Sequence, residues 1–535
     1  MLSFFRLRRF LKSPKSILLA IIFLIVTTLA CARDVGSGVN VTMIPGGAAS
    51  SASPSVARLT LTPRPTRIVL GTPTPDPTHP PSRINDPNAY IVKQGDTLGT
   101  LAKRFGVTIA DIKKINNLTS DDLFVGQRLK LPVSTLPTSP SYKLIPDSEF
   151  VYGPTTADFN LKETVEKFNG YLQRYIETDR DGVTRNGTQI VQLTAERFSV
   201  NPRLLLALIE HQSGWLANRN PSQNTLIYPL GYPQPGFEGL TRQLYWAADQ
   251  LSTGYYAWRE NRIGAIEFPN GSSWSISPGL NAGTVAVQYF FARRYSGNDW
   301  LKQVTQGGFD LTYASSFGNP FERGYDPLLP LDLTQPDLRL PMEKNSEWYF
   351  TGGPHGAWGT GSSWAAIDFG PPIDGCVVSE AWVVAAANGI IVRAGEGAVI
   401  QDLDGDGFEQ TGWNLFYMHL ATKDRIAVGA RVKAGDRIGH PSCEGGFSNG
   451  SHLHFARKYN GEWIAADGVV PFNLSGWIVD STGKEYDGWL RKGEKSLEAC
   501  DCKGATRPAK SMMAGCVKVR RVLRRVIAKG RIRCR

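Results

Sequence analysis

The chain has 535 residues, which is enough for about three domains of ordinary size. It carries 59 Lys and Arg against 48 Asp and Glu, a net charge of +11, but twelve basic and no acidic residues lie in residues 503–535, so residues 1–502 sum to −1. Because the basic excess lies at the two ends of the chain, the composition excludes a folded nucleic-acid-binding domain.

The first 31 residues have the pattern of an export signal. A basic segment, Arg6–Lys15, precedes an apolar run, Ile17–Val26, which is shorter than the ~20 residues that a membrane-spanning helix needs. The small residues before Cys31 resemble a bacterial lipobox, with Thr28 where an aliphatic residue is usual. This resemblance implies that Cys31 carries a lipid that anchors the protein on the outer face of the membrane. Ordinary secretion and an uncleaved anchor are the alternatives.

A segment rich in Pro, Thr and Ser, residues 32–87, follows the signal. Such a composition cannot bury a core and favours extended, polyproline-like conformations. We therefore predict a linker that holds the folded domains away from a surface.

Residues 88–133 have the pattern of two short helices between two short strands, a βααβ unit. The first helix ends at Gly106, and the second begins with a capping box from Thr108 to Asp111. The predicted strands are Tyr90–Val92 and Gln127–Pro132. The apolar residues that recur at helical spacing, and that we expect to face inward, are Leu98, Leu101, Ala102, Phe105, Ile109, Ile112 and Ile115.

This unit resembles a LysM domain over residues 92–118 and 125–132. LysM domains bind the N-acetylglucosamine-containing glycan of peptidoglycan or chitin in a groove formed by the loops after each strand. For Asp96, a role as helix N-cap is an alternative to glycan binding. The groove residues that the resemblance implies are Gly95, Asp96, Thr97 and Leu98, facing Asn117 and Leu118.

Residues 134–150 are predicted to be a second linker, and residues 151–335 a mainly α-helical domain with many aromatic side chains. Asn201 followed by Pro202 is typical of a helix start. Residues 201–215 resemble the catalytic helix of lytic transglycosylases and goose-type lysozymes, which ends in a Glu-Ser pair whose glutamate is the general acid for glycan cleavage.

The resemblance places Gln212 where that family has its catalytic glutamate. An amide cannot donate and take back a proton as a carboxylic acid does, and Glu210 points about 200° away around the helix. We therefore expect a lysozyme-like fold that has lost hydrolysis and binds glycan. A helical spacer is the alternative.

Residues 336–490 have the pattern of an antiparallel β domain, because short β-branched runs alternate with glycines. His452 and His454 are two residues apart, so on a strand they face the same way. Imidazole and carboxylate groups are the ligands that zinc takes in hydrolytic sites, usually three from the protein and a position for water. The residues of these types that lie in short motifs here are His355, Asp368, His419, His452 and His454.

The motifs resemble, in order, those of the LytM/lysostaphin family of zinc endopeptidases over about residues 345–475. The matching blocks read IDFGPP, VVAAANGIIVRAG, FYMHL, VGARVKAGDRIGH and SHLHF. The resemblance implies that Zn²⁺ is bound by His355, Asp368 and His454. Thirteen residues separate His355 from Asp368, whereas many family members have four, and His355 is the only histidine of this domain that precedes Asp368.

In that family the two remaining histidines are catalytic, which here assigns His452 as the base for the attacking water and His419 to the oxyanion or the leaving amine. The implied reaction is hydrolysis of an amide bond in the stem peptide or cross-bridge of peptidoglycan. The implied partners are peptidoglycan, through its glycan and peptide, and the membrane, through the lipid anchor. The alternative is a catalytically inactive envelope scaffold or an activator of other cell-wall hydrolases.

Cys376 and Cys443 lie in the same predicted domain, where an exported compartment permits a disulfide. Two unpaired thiols are the alternative. Residues 491–535 form a basic, Cys-rich tail, which is either a disordered binder of anionic polymers or membrane surfaces, or a non-native terminus.

The segment Asp402–Gly407 resembles the opening of a calcium loop, in which alternate carboxylates converge on a hard cation. The twelfth position of such a loop is Trp413, where the bidentate glutamate is expected. The sequence therefore favours a polar hairpin turn over a calcium site.

Overall fold

The computed structural model describes residues 72–73, 89–93, 95–132, 136–179, 182–325 and 327–500. The signal segment with Cys31, most of the linker 32–87 and the tail beyond residue 500 lie outside the described residues. Among the helices of the described part, none is both long and apolar enough to cross a bilayer.

The first folded unit is the predicted βααβ arrangement. The two strands pair antiparallel, with Tyr90 opposite Leu129, and both helices pack on one face of this ribbon around the fully buried Leu101 and Ile112. The elements are β1 (Ala89–Ile91), α1 (Leu98–Phe105), α2 (Ile109–Asn116) and β2 (Arg128–Lys130).

The helix α2 buries less than its sequence predicts. Ile112 is buried, but Ile109 and Ile115 are 39% and 45% exposed, so the inward orientation predicted for them is wrong. Each residue advances about 100° around a helix, so positions 109, 112 and 115 spread over roughly 120° of its surface. A helix of only two turns that packs on one side buries only the middle of these three residues, Ile112.

The middle region is mainly helical. Asn201 caps the helix that begins with Pro202, as predicted. The longest helix of the described residues, Leu240–Arg259, packs closely on Ala282–Ala292. A Cβ at Gly254 would overlap Tyr289, so this close approach requires a glycine there. The elements are α3 (Asp147–Phe150), α4 (Leu161–Phe168), α5 (Tyr171–Arg174), β3 (Ile176–Thr178), β4 (Thr184–Asn186), α6 (Gly187–Phe198), α7 (Pro202–Ser213), α8 (Gln223–Ile227), α9 (Leu240–Arg259), β5 (Ala265–Glu267), β6 (Ser273–Ser275), α10 (Ala282–Ala292), α11 (Gly297–Val304), α12 (Phe309–Phe317) and α13 (Pro320–Arg323).

The segment predicted to be a linker at residues 134–150 is instead packed against the helical region from residue 136 onward. Leu144 and Ile145 are buried, and all four residues of α3 are buried. Ser139 N–H donates to the carbonyl of Ser275, which joins the segment to β6. A single helical turn has no periodicity to detect, and this is why the sequence pattern missed it.

The third region is antiparallel β structure, as predicted. Its main sheet has the order β13-β10-β11-β12-β15-β8-β7, with β16 paired to β15, and β9 pairs with β14. The elements are β7 (Tyr349–His355), β8 (Ala366–Gly370), β9 (Val383–Val384), β10 (Gly389–Gly395), β11 (Ala398–Asp402), β12 (Trp413–Met418), β13 (Arg431–Val432), β14 (Arg437–Gly439), β15 (Leu453–Tyr459) and β16 (Glu462–Trp463).

A separate four-stranded sheet closes the β region: β17 (Asn473–Leu474), β18 (Trp477–Ser481), β19 (Gly488–Lys492) and β20 (Lys495–Glu498). The boundary predicted at residue 490 therefore falls inside β19, and β20 belongs to the folded region rather than to the basic tail. Lys492 pairs with Lys495 across a tight hairpin, whose charged residues resemble those of the tail in composition.

The helical and β regions share a buried polar junction. The Glu462 carboxylate accepts hydrogen bonds from the Tyr255 hydroxyl at 3.0 Å and from Arg259 Nε at 2.8 Å. The Tyr256 hydroxyl accepts one from the backbone N–H of Trp463 at 3.0 Å. Because a buried charge is tolerated only when it is paired, this junction fixes the β region against α9.

Candidate active site

Three neighbouring strands of the main sheet bring the predicted metal ligands together. His454 on β15 lies directly opposite Asp368 on β8, and Gly352 on β7 lies opposite Asp368 on its other side. A bulge in β7 between Gly352 and His355 shifts the register, and it brings His355 onto the same group. The twelve residues between His355 and Asp368 are therefore a loop, residues 356–365, and the first two residues of β8.

The three candidate ligand atoms are close and buried. His355 Nε2 lies 3.2 Å from Asp368 Oδ1 and 3.0 Å from His454 Nδ1, and His454 Nδ1 lies 3.4 Å from Asp368 Oδ1. The exposed fractions of His355, Asp368 and His454 are 2%, 7% and 9%.

Backbone carbonyls set the orientation of both imidazoles. His355 Nδ1 lies 2.8 Å from the carbonyl of Gly353, and His454 Nε2 lies 3.0 Å from that of Ala357. A carbonyl accepts only, so these nitrogens carry the hydrogens and the opposite nitrogens, which face Asp368, carry lone pairs.

The residues fit a metal ion. Two lone pairs and a carboxylate oxygen face one another in a buried space, and Asp368 Oδ1 has no hydrogen-bond donor. Such an arrangement is repulsive unless a cation lies between the three atoms or a proton is taken up. Two imidazoles and a carboxylate are a donor set that zinc takes in hydrolytic sites.

Two further histidines flank this group. His452 Nε2 lies 3.7 Å from Asp368 Oδ2, and its Nδ1 donates to the carbonyl of Gly450 at 2.8 Å. His419 follows β12, its ring centroid lies 4.5 Å from that of His452, and its Nδ1 donates to the carbonyl of Glu444 at 3.0 Å. In both rings Nδ1 therefore carries the hydrogen that a carbonyl accepts, and Nε2 carries the lone pair that can accept a proton.

His419 has an uncommon backbone conformation, with φ of +64°. The left-handed region is unfavourable for a residue with a Cβ, and it persists only where the surroundings impose it. Here the backbone N–H of Ser442 donates to the His419 carbonyl at 2.6 Å, and Leu420 N–H donates to the carbonyl of Gly397. The sharp turn after β12 aims the imidazole back across the sheet.

The electrostatics suit metal binding. Burial lowers the pKa of His419 to about 3, and His452 and His454 add to the shift. Burial alone would raise the pKa of Asp368, but its interactions with His355, His452 and His454 hold that pKa well below its usual value. For His355, burial lowers the pKa and Asp368 raises it by more, so the pKa is raised overall and the imidazole takes up a proton more readily. A metal ion binds the ionised carboxylate and the neutral imidazoles, so it would compete with that proton.

Tyr486, in the turn between β18 and β19, was missed by the sequence motifs. Its ring stacks on that of His355 at 4.1 Å between centroids. Its backbone carbonyl accepts from Gly353 N–H at 2.8 Å, and its N–H donates to Pro354 at 3.1 Å. The turn between β18 and β19 thus supports the end of β7, where His355 lies. A tyrosine in a turn outside every motif gives no sequence signal for this role.

Cys376 and Cys443 are joined by a disulfide. The bond ties the segment after β8 to the segment that ends at Glu444, the residue whose carbonyl orients His419. Ser451 adds to the same junction, since its N–H donates to Gly375 and its hydroxyl accepts from Val377 N–H. The segments that flank His419 and His452 are therefore cross-linked.

His440 is the fifth histidine of the β region and lies apart from this group. Its Nδ1 donates to the carbonyl of Ala381 at 2.9 Å, and its ring packs on Trp382 at 3.8 Å. It is a buried structural histidine.

Comparisons with known families agree with this geometry. Peptidase family M23 matches residues 369–466, which contain His419, His452 and His454 and begin directly after Asp368. The C-terminal region is an M23 peptidase domain. The LysM domain matches residues 90–132, and the domain described as "LasA, N-terminal domain" matches residues 143–331.

The chain is similar to three proteins in particular. Protease LasA of Pseudomonas aeruginosa (strain UCBPP-PA14) is 25% identical over 364 residues, 64% of this chain and 78% of LasA. The "Probable peptidoglycan endopeptidase LytE" of Bacillus subtilis is 54% identical over 46 residues, 9% of this chain and 14% of LytE. The solved structure of the M23 metalloprotease pseudoalterin is 22% identical, covers 33% of this chain and 99% of its own, and has a TM-score of 0.27.

The LasA N-terminal match covers the helical region, including the packed segment from residue 143. In α7, Gln212 Oε1 accepts hydrogen bonds from Arg294 and from the Tyr295 hydroxyl. The Glu210 carboxylate accepts from the backbone N–H groups of Leu216 and Ala217, both at 3.0 Å, and so closes the end of the helix. Gln212 and Glu210 thus both have structural partners, and the loss of glycan hydrolysis expected from the sequence stays a prediction.

The helical region borders the M23 site. Asp249 on α9 accepts hydrogen bonds from the backbone N–H groups of Thr360 and Gly361, at 2.8 and 2.9 Å, in the loop that follows His355. Arg197 on α6 pairs with Glu396 at 2.9 Å and lies over the ring of Trp358. The loops around the metal group are therefore held by two domains.

The LysM residues expected in the glycan groove have different surroundings. Thr97, and not Asp96, is the N-cap of α1, so the alternative role given to Asp96 is wrong. The Asp96 carboxylate accepts from Lys93 N–H at 2.6 Å and from Asn261 Nδ2 of the helical region at 2.6 Å. Leu98 is buried in the core and cannot line a groove. The remaining predicted groove residues are not in that core: Gly95, Thr97 and Asn117 are exposed and Leu118 is half-buried.

A glycine substitution tests the placement of Asp368. A Cβ at Gly352 would lie 2.8 Å from Asp368 Oδ2, so Gly352→Ala must displace the carboxylate. We expect zinc affinity to fall about 10–100-fold, as for other changes beside metal ligands. Gly395→Ala on β10 is the matched control, because nothing lies within 4 Å of its Cβ. Competition with a chromophoric chelator measures both; equal affinities would contradict the placement.

Proposed function

We propose that this protein is a zinc-dependent endopeptidase that hydrolyses amide bonds in the stem peptides or cross-bridges of peptidoglycan. The observation that carries the proposal is the convergence of His355, Asp368 and His454, with His419 and His452 beside them. An inactive scaffold would have no reason to keep five groups of this kind in one buried cluster.

The donor set favours zinc. One carboxylate and two imidazoles are intermediate between the all-oxygen sites of calcium and magnesium and the thiolate sites of structural zinc. When bound, zinc would supply a coordinated water with a pKa near ~7 and a positive charge to polarise the scissile carbonyl.

The two flanking histidines would handle the protons. His452 Nε2 carries a lone pair directed at Asp368, because its Nδ1 is bound to Gly450, and so it can take a proton from a water at the centre. His419 is locked in the same tautomer by Glu444. His419 is neutral, so a proton at its Nε2 would have to come from the water by way of the neighbouring His452. With that proton His419 could donate to the oxyanion or to the leaving amine.

The substrate class follows from the combination of domains. LysM places a glycan-binding module on the same chain as the peptidase, and peptidoglycan is a polymer that presents glycan and peptide together. The relative that matches over 46 residues carries the name "Probable peptidoglycan endopeptidase". Attachment to the glycan would raise the local concentration of peptide near the M23 site.

The first prediction separates ligands from catalytic groups. His355→Ala, Asp368→Ala and His454→Ala should each lower both zinc content and peptide cleavage. His452→Ala and His419→Ala should keep zinc and lose about 10²–10⁴-fold in turnover. His440→Ala is the matched control and should keep both. Metal analysis and release of amino groups from peptidoglycan measure the two properties. A His452→Ala variant without zinc would reverse the roles within the His-Leu-His pair, and a zinc-free wild type without activity would favour a scaffold.

The second prediction concerns glycan binding. The full-length His454→Ala variant should sediment with purified peptidoglycan sacculi as the wild type does, because binding rests on LysM and not on the metal. Thr97→Trp should weaken sedimentation by filling the exposed groove, whereas Ile115→Trp, on an exposed face of α2 outside the predicted groove, should leave it unchanged. Loss of binding in His454→Ala alone would show that the peptidase site, and not LysM, holds the polymer.

We also propose that the protein is anchored to the outer face of the membrane by a lipid on Cys31. The proposal rests on the basic segment, the short apolar run and the small residues before this cysteine. Cys31→Ser should abolish incorporation of labelled palmitate in a bacterial host and release the protein from membranes, and Cys376→Ser should not affect labelling. Unlabelled wild-type protein would favour simple secretion.

A further inference from the structure

The turn between β11 and β12 holds a second group of possible metal ligands. Oxygen atoms of Asp402, Asp404 and Asp406 all lie within 4.8 Å of one another. Asp402 is fully buried, and Asp406 is 9% exposed. The group is on the same sheet as the peptidase site but at the opposite end of β12, and it contains oxygen donors only.

The backbone of the turn already folds around these carboxylates. Asp402 Oδ2 accepts from Gly407 N–H at 2.8 Å, and Asp402 Oδ1 accepts from Asp404 N–H at 3.1 Å. Asp406 Oδ2 accepts from the Thr411 hydroxyl at 2.7 Å. Within the part of the chain that the structure describes, no Lys, Arg or His forms an ion pair with Asp402 or Asp404. Their negative charge is thus not balanced by a side chain.

A buried amide oxygen completes the group. Asn414 lies directly opposite Asp402 on the β11–β12 ladder, so the two side chains leave the sheet on the same face. Its Nδ2 donates to the carbonyl of Thr411, the residue that binds Asp406. Its Oδ1 is buried and has no hydrogen-bond donor. Asn414 is thus opposite Asp402 across the ladder and bound through Nδ2 to Thr411, and its buried Oδ1 has no partner of its own.

The cation opposite Asn414 does not bind its amide oxygen. Lys458 is opposite Asn414 on β15, but its buried Nζ makes no hydrogen bond and lies over the Trp463 ring, 5.2 Å from the centroid. Buried polar atoms without a partner are rare in folded proteins and mark a missing ligand or water. Asn414 Oδ1 is such an atom, and the side chain opposite it on β11 is the Asp402 carboxylate, so a cation is a partner that fits both oxygens.

The backbone is also shaped around the third carboxylate. Gly412 has φ of +56°, and a Cβ at this position would overlap Asp404 Oδ2. The Asp404 side chain therefore folds back over the turn towards Gly412, although it remains exposed. Gln410, at the ninth position counted from Asp402, has a second buried oxygen without a donor, Oε1. Calcium loops commonly take a ligand or a bound water at that position.

We propose that the turn from Asp402 to Asn414 binds a calcium ion. Calcium loops have a glutamate ligand at the twelfth position, which is Trp413 here, and Asn414 Oδ1 would be the ligand in its place. Calcium accepts six to eight oxygen ligands in flexible geometry, whereas magnesium demands a near-ideal octahedron and zinc prefers nitrogen and sulfur. Carboxylate, amide and backbone oxygens are all that this turn offers. The hydrogen-bonded turn expected from the sequence is present, and it forms the framework of the site.

Calcium here would brace the contact between two domains. Gly412 N–H donates to Asn460 Oδ1 at 2.8 Å, and Asn460 N–H donates to the Gly412 carbonyl at 3.0 Å. The next residue, Gly461, accepts from the Ser199 hydroxyl of the helical region at 2.6 Å. The turn is thus connected, through Asn460 and Gly461, to Ser199 between α6 and α7. A calcium ion that held the turn rigid would therefore also hold this contact between the two domains.

The test uses the zinc-loaded full-length protein with Ca²⁺ and Tb³⁺ as probes. Trp413 adjoins the site, so bound Tb³⁺ should luminesce on excitation of tryptophan and be displaced by Ca²⁺, with a Kd of ~10⁻⁴–10⁻³ M typical of extracellular modules. Calcium should also raise the Tm, since it binds the folded state. Asp404→Asn, on an exposed side chain, should weaken binding at least ~10-fold because affinity follows the ligand charge. Asn414→Asp should tighten it.

Two controls separate this site from others. Asp436→Asn removes an acidic side chain from a different exposed turn and should leave Ca²⁺ affinity unchanged. His454→Ala removes a peptidase ligand and should also leave it unchanged. The proposal is overturned if neither probe binds below 10 mM (about tenfold above the typical range), if Asp404→Asn binds as well as the wild type, or if Asp436→Asn weakens binding equally.

Discussion

The buried meeting of His355 Nε2, His454 Nδ1 and Asp368 Oδ1 is the constraint on which the β region depends. Two lone pairs and a negative oxygen about 3 Å apart are stable only around a positive charge. The sheet register, the bulge in β7 and the carbonyls that lock each imidazole all serve to hold this group. A bound metal would therefore contribute to folding as well as to chemistry, because it removes a repulsion built into the apo protein.

The other domains act on the site through its loops. Asp249 binds the backbone of the loop after His355, and the Arg197–Glu396 pair holds the loop that precedes β11. The LysM domain is docked on the helical region through Arg104, which donates to the carbonyls of Ile263 and Trp258 and stacks on the Trp258 ring. Glycan bound by LysM would thus have a fixed position relative to the peptidase centre.

Much of this could be predicted from sequence because the signals are local. His452 and His454 alternate with Leu453 on a strand, and Gly106, Thr108 and Asn201 mark helix ends. The failures come from tertiary structure. Tyr486 reaches His355 from a turn distant in sequence, Leu144 and Ile145 pack in a segment without periodicity, and Ile109 and Ile115 lie on a helix too short to cover them. The partner that Asn414 lacks is visible only when the cross-strand register is known.

The central claim is that the M23 centre cuts peptide bonds of peptidoglycan. Mass spectrometry of the fragments that the full-length protein releases from purified sacculi tests it most directly. The account predicts new peptide amino and carboxyl termini, lost on chelation and restored by zinc, and no new reducing or anhydromuramyl sugar ends, because Gln212 cannot serve as a general acid. Sugar ends without new peptide termini, or no release by a fully zinc-loaded protein, would contradict it.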